Sequence, residues 1–372
     1  MKKLIISICT VLCLMAAPLA SVEWGGLLFN ESGASTSDFK EITIKQTDGI
    51  SLWLKSPLGK DSGFYFSSEI LYKFSLDIAK GSDPQFKQIF DLPMLKVTGD
   101  LNAGAGLLSL NAGRFYYVDA TSAVISQVVD GVALSYTLPT VKLGGFLGYT
   151  GLLNSLNVPM AVNSSNNNEI YNMADPYLPL GVTIEFPSLI GNQSLEFDAY
   201  YIQDLGGSDN NRAYANVILS GPITNALFYN AATSFGFMNF KDLMNYSSFA
   251  LLAFPSEKVS LSAGASFGSA DGMGPFTAYS SLAATSVLAA SKITPKAAFS
   301  YTTESMNVDL NASLPLEYTD DTYKIGSPNI GFAYIYNIFS DLQLGFSVNA
   351  DIDLTGSNAH NINAKLNLAL AF

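Results

Sequence analysis

Leu342-Gln343-Leu344-Gly345-Phe346-Ser347-Val348-Asn349-Ala350-Asp351-Ile352 puts an apolar residue at every even position and a polar residue or glycine at every odd one. Side chains of a β-strand point to opposite faces in turn, so this stretch has one greasy face and one wet face. At 11 residues it is about twice the usual soluble strand, and it matches a strand tilted across a bilayer. Its apolar face carries no charge from end to end.

The same period recurs along the chain. Phe64, Phe66, Ile70, Tyr72, Phe74, Leu76 and Ile78 share one parity, with Glu69, Lys73 and Asp77 on the other. Leu178 to Phe186, Leu195 to Tyr201, Val259 to Phe267 and Met306 to Leu314 repeat the pattern. Their polar faces hold Glu185, Glu196, Asp198 and Asp309 among small and uncharged residues. A soluble sandwich would also alternate, but its solvent face would be rich in lysine and glutamate. Here charged residues are 13% of the chain and aromatic residues 12%, against about 25% charged in an ordinary domain. The formal net charge of −12 disfavours nucleic acid, whose binding rests on cationic contacts to phosphate.

The first residues set a compartment. Met1-Lys2-Lys3 is a basic start, Leu4 to Met15 is an apolar run, and Ala16, Ala17 and Ala20 are small. This predicts a secretory signal peptide over residues 1–20, since the run is shorter than a helical span requires. Both cysteines, Cys9 and Cys13, fall inside it, so residues 21–372 are expected to form one domain without disulfides.

Punctuation is periodic too. Ser56-Pro57, Leu138-Pro139, Phe186-Pro187, Gly221-Pro222, Phe254-Pro255 and Thr294-Pro295 each read as a tight turn between strands, because proline offers no N–H to a sheet. Longer polar excursions are expected at Asn30 to Asp38, Gly81 to Asp91, Asp119 to Gln127, Gly151 to Asp175, Gly206 to Asn211, Ser269 to Gly274 and Gly356 to Asn361. Short turns alternating with long loops predict an all-β fold, a single antiparallel up-and-down transmembrane barrel of about 18 strands, with 16–20 as the range. Pro315 and the stretch Ser281 to Ser291 leave the count open.

The chain ends Leu366-Asn367-Leu368-Ala369-Leu370-Ala371-Phe372. With the signal and the hairpin repeats, this terminal strand resembles bacterial outer-membrane β-barrels of the porin type, which typically end in an aromatic residue. The start Trp24 to Asn30, "WGGLLFN", is similar to mature N-termini of spirochaetal outer-membrane proteins. The resemblance implies that Leu366, Leu368, Leu370 and Phe372 form the signal read by the barrel-assembly machinery. It further implies outer-membrane lipid as surroundings, small solutes as cargo and a homotrimer as one possible assembly. No plug domain precedes the first strand, which disfavours a TonB-dependent transporter.

Candidate sites are few. His360 is the sole histidine and reads as an ordinary loop residue, so no catalytic residue, metal or cofactor is expected. Asp209-Asn210-Asn211 lacks a calcium-ligand spacing. Glu69, Lys73, Asp77, Glu185, Glu196, Asp198, Lys258, Asp309, Asp351 and Lys365 are expected to line a pore. Acids outnumber bases among them, which predicts a mild cation preference. The loop Gly151 to Asp175 reads equally as a constriction folded into the mouth or as an external loop. Trp24, Trp53, Tyr116, Tyr117, Tyr200, Tyr201, Tyr334 and Tyr336 read as interfacial aromatics. The leading reading is a porin-like channel for small hydrophilic solutes. A transporter of hydrophobic compounds, resembling fatty-acid channels, and a closed barrel serving as adhesin or structural protein are the alternatives.

Overall fold

The computed structural model describes residues 22–59, 62–158, 170–207, 211–239, 242–269, 292–319, 322–354, 356 and 360–372; the predicted signal peptide lies outside them. Their strands are β1 (Glu23–Ser37), β2 (Glu41–Pro57), β3 (Phe64–Ala79), β4 (Gln85–Ala103), β5 (Gly106–Val118), β6 (Ser126–Thr137), β7 (Lys142–Tyr149), β8 (Tyr177–Ile190), β9 (Gln193–Asp204) and β10 (Arg212–Thr224). They continue as β11 (Leu227–Met238), β12 (Asp242–Ser256), β13 (Val259–Gly268), β14 (Lys292–Thr302), β15 (Met306–Ser313), β16 (Leu316–Thr319), β17 (Thr322–Ile325), β18 (Asn329–Asn337), β19 (Leu342–Asp351) and β20 (Asn361–Ala371). Consecutive strands pair antiparallel except at β15–β16 and β17–β18, and β1 pairs with both β2 and β20. Eighteen strands therefore close a cylinder. The other two, β16 and β17, form a small hairpin between β15 and β18, which pair directly with each other.

Closure is completed by the last residue. Gly26 N–H donates to the Phe372 carbonyl at 2.8 Å, and Phe372 N–H donates back at 3.0 Å. A Cβ on Gly26 would lie 2.4 Å from the Phe372 ring. Of the glycine pair in "WGGLLFN", Gly26 makes room for the terminal aromatic and Gly25 for the Trp53 ring.

Directly paired residues share a face, so the registers sort every strand into an inner and an outer set. Leu134, Leu147, Val182, Phe197, Phe249, Leu261, Leu310, Phe346 and Leu368 belong to the outer set and are exposed. Such exposure of large apolar side chains suits a cylinder whose solvent is lipid.

Four expectations about punctuation change. Most of Gly81 to Asp91 is not a loop: β4 begins at Gln85, so only residues 80–84 turn there. Pro295 is not in a turn: it lies inside β14 opposite Ala265, at the end where the long connections lie. Asn30 to Ser37 is not a loop but the upper half of β1, so only Asp38–Lys40 turns there. Pro315 is neither a turn between barrel strands nor a kink within one; it starts the β16–β17 hairpin, and its carbonyl accepts from Gly326 N–H at 2.7 Å.

The wall is also not a simple cylinder. β5 leaves β4 after the pair Leu95–Arg114, and β6 leaves β7 after Asp130–Tyr149, while β5 and β6 stay paired to Val118–Ser126. At the point of departure, Gly113 and Gly131 face each other. Gly113 has φ 116°, and a Cβ on Gly131 would lie 2.1 Å from the Leu147 carbonyl oxygen. A side chain here meets backbone that cannot move aside. Gly131→Val should cost about 1–3 kcal/mol through overpacking and reduce the heat-modifiable, folded fraction on semi-native gels. Gly145→Val, whose Cβ meets nothing within 4 Å, should leave that fraction unchanged.

Candidate functional site

Above the Gly113–Gly131 pair, the β5–β6 tip bends into the barrel and touches the wall at β9, β10 and β11. Ala120 N–H donates to Asp198 at 3.2 Å, the Asn216 amide donates to Asp119 at 3.4 Å, and Ser234 and Thr121 hydroxyls are 3.4 Å apart. Tyr117 and Tyr200 hydroxyls meet at 3.1 Å, and Tyr117 stacks on Phe146 at 3.8 Å. Around these contacts lies the main buried cluster: Phe115, Ala123, Val124, Ile125 and Val129 from the tip, with Tyr177, Tyr200, Ile202, Tyr214, Met244 and Tyr246 from the wall. The tip folds inward because its own Val124-Ile125 and the inward aromatics of β9, β10 and β12 bury each other.

Asp119 shapes the turn of this tip. Its carboxylate accepts from the Val124, Ile125 and Thr121 backbone N–H groups, from the Thr121 hydroxyl and from Asn216. Burial pushes its pKa above the ordinary carboxylate range, and these hydrogen bonds pull the other way.

Behind the tip sits the connection between β7 and β8, described at 150–158 and 170–176. Asn154 donates to the Phe90 carbonyl at 3.0 Å, and Phe90 N–H donates to the Ile170 carbonyl at 3.2 Å. Lys73 donates to Asn157 at 2.6 Å, and Asn157 donates to Asp91 at 2.6 Å. This segment therefore fills the space between the tip and the β3–β4 wall. The described part of Gly151 to Asp175 lies within the barrel's cross-section, which favours the constriction over the external loop. Met160, Val162 and Asn163 to Asn168 lie outside the described residues.

Arg114 ties the two layers together. Its guanidinium grips Asp130 with two bonds, at 2.7 and 2.8 Å, and donates to the carbonyls of Leu152 at 2.8 Å and Leu92 at 3.2 Å. Asp91 lies 3.9 Å away. A planar fork of five donors suits this many acceptors, where a lysine would reach fewer.

The opposite half of the wall is different. Inward positions of β15 and β18–β20 include Asn307, Asp309, Asn311, Asn329, Gln343, Ser347, Asn349, Asp351, Asn361, Asn363, Lys365 and Asn367. A cavity of about 570 Å³ is bounded by Ser262, Thr294, Lys296, Asn311, Asn329, Asn349 and Asp351. Another of about 400 Å³ is bounded by Ser35, Glu41, Thr43, Asn361 and Asn363. Among the described residues, no segment crosses this half.

The residues expected to line a pore occupy distinct places. Glu69, Lys73, Asp77, Glu185, Glu196, Asp309, Asp351 and Lys365 stand on inward faces. Lys365 pairs with Glu31 at 3.0 Å, and Glu185 faces Lys142 at 3.5 Å. Asp198 is buried beneath the tip. Lys258 lies in the turn between β12 and β13, outside the strands. Sequence reasoning missed Arg114, Asp119, Asp130 and Asn216, and it placed Tyr117 and Tyr200 at the membrane interface, whereas Tyr117 is in the plug and Tyr200 packs against it from the wall. The signal was present: Tyr200 and Tyr214 fall on the inward parity of their strands. His360 clasps two loops, donating its N–H to Asp38 at 2.8 Å and accepting from Asp353 N–H at Nδ1, 3.0 Å.

No family model matches the sequence, and no curated protein matches it. Solved structures do. Pseudomonas aeruginosa OccK7 (OpdD) superposes with a TM-score of 0.69 at 10% identity, covering 95% of this chain and 99% of that one. P. aeruginosa OpdQ gives 0.65 at 11%, covering 94% and 98%. Acinetobacter baumannii OccAB4 gives 0.58 at 13%, covering 95% and 100%. P. aeruginosa OpdK, solved with vanillate, gives 0.61 at 11%, covering 94% and 98%. The chain has the fold of a porin-type outer-membrane β-barrel.

Arg114→Met leaves buried Asp91 and half-buried Asp130 without their counter-charge, which costs about 3 kcal/mol, the low end for a broken buried pair. The expected outcome is a lower denaturant midpoint in detergent micelles and a larger, noisier single-channel conductance, since the tip and the β7–β8 segment lose their shared anchor.

Proposed function

We propose that the chain is a channel for passive diffusion of small hydrophilic solutes across an outer membrane, with a mild preference for cations. One observation carries the reading: the plug of tip and β7–β8 segment fills one side of the lumen, while the other is lined by amides, hydroxyls and a few charges. Amide and hydroxyl groups exchange hydrogen bonds with a passing hydrated solute and bind it weakly enough to let it leave.

Carboxylates are in the majority on the inward faces, but lysines interleave with them. Pairs such as Glu31–Lys365 cancel part of the field, so the preference should be weak. A carboxylate ligand such as the vanillate of OpdK would call for fixed cations. The two arginines of this chain, Arg114 and Arg212, are both buried, and Lys296 shares the larger polar cavity with Asp351, so neutral or cationic polar solutes fit better. The polar lining also speaks against cargo of hydrophobic compounds.

Reversal potentials of the purified channel in a planar bilayer under a tenfold salt gradient test this. A small potential of cation sign is expected, shifting towards zero in Asp309→Asn/Asp351→Asn. Clear anion selectivity would refute the assignment, and absence of conductance would refute the channel.

A further inference from the structure

The outward face of the seam carries a polar cluster that includes a carboxylate, whereas another outward cluster, Thr233, Ser247 and Asn245 on β11 and β12, is uncharged. Registers place Asn30 opposite Asp48 and Ser32 opposite Gln46, and on the other flank Asn30 opposite Leu368 and Ser32 opposite Leu366. Asp48 in turn faces Phe74, and Gln46 faces Leu76. All four polar residues therefore share the lipid-facing parity with Leu28, Ile44, Ile50, Leu366 and Leu368.

They form a connected network. The Asn30 amide donates to Asp48 at 2.5 Å, and the Ser32 hydroxyl donates to Gln46 at 2.6 Å and to Asn30 at 3.4 Å. The Gln46 amide reaches Asp48 at 3.3 Å. Asn30 stands six residues above Trp24, which is 71% exposed at the lower rim. At about 3.3 Å per residue and a tilt near 40°, that is roughly 15 Å, close to the middle of an apolar band about 25 Å tall. Charge on the lipid face is costly at that depth, and Ile44 above and Ile50 below keep the patch from either interface. Among the described residues of β1, β2, β3 and β20, no lysine or arginine shares this face.

What covers the patch must bring hydrogen-bond donors and acceptors together. Hydrocarbon tails offer neither. The patch itself offers both: each amide keeps an unused N–H, and the carboxylate keeps lone pairs unused by Asn30 and Gln46. It is complementary to itself. Ala34 and Ala364, paired just above it, leave a second barrel free to approach, and the apolar rim of Leu28, Ile50, Leu366 and Leu368 would seal around the polar centre. We propose that the outward face of β20–β1–β2 seats a second copy of this chain, with Asn30, Ser32, Gln46 and Asp48 of both copies desolvated at the centre of the contact. This does not depend on the channel reading.

The full chain carries no cysteine after Cys13, so single-cysteine variants report cleanly. Ala34→Cys in outer-membrane vesicles, treated with a short thiol crosslinker, should give a band at twice the monomer mass. Ala215→Cys, on the lipid face of β10, should not. Adding Gln46→Leu/Asp48→Leu to Ala34→Cys should cut the crosslinked yield at least tenfold while the barrel stays heat-modifiable, because apolar residues suit a lipid face. Asp48→Asn, which keeps the hydrogen bonding, should retain most of it. No Ala34→Cys crosslinking, equal crosslinking from Ala215→Cys, or a yield indifferent to Gln46→Leu/Asp48→Leu would each overturn the proposal.

Discussion

A backbone N–H or C=O that faces lipid without a partner costs several kcal/mol, and the bilayer core supplies no water to satisfy it. Everything else in this molecule follows from that constraint. It requires a ring, so the last strand must find the first. Because β20 closes on β1 antiparallel, both termini lie on one side and the strand count is even. The same constraint also explains why Phe372, the sort of terminal residue that would fray in water, is held by hydrogen bonds to Gly26.

Once closed, a ring of this size has more interior than side chains alone can fill. The chain uses its own connections. The β5–β6 hairpin gives up its outer partners above Gly113 and Gly131 and gains an apolar contact with Tyr200, Tyr214 and Tyr246. The β7–β8 connection backs it, and Arg114 joins the two. The lumen is thereby split into a packed half and a polar half. The split follows side-chain character: aromatic inward positions on β9, β10 and β12, amide and hydroxyl inward positions on β15 and β18–β20.

The fold was legible wherever one face was strictly apolar. Leu342–Ile352 states its face, its length and its environment by itself. It was illegible where both faces are polar. Asn30 to Ser37 read as a loop because Asn30 and Ser32 stand where leucines would otherwise be, which is the same anomaly that marks the seam as a contact surface. Thr294-Pro295 read as a turn because proline weakens a ladder, yet a strand tolerates it near its end. The inward parity of Glu69, Lys73, Asp77 and Lys365 follows from period two alone. The plug does not, because Tyr117 and Asp119 acquire their roles from contacts to Tyr200, Asp198 and Asn216, roughly 80 to 100 residues away, which no local pattern encodes.

The central claim is that the polar half of the lumen is a path for solutes. Liposome swelling with neutral sugars of increasing size measures this without reference to charge. Swelling that is fast for small sugars and falls to the protein-free rate with increasing size is the result the account requires. Swelling at the protein-free rate for every sugar, from protein shown to be inserted and heat-modifiable, would contradict it.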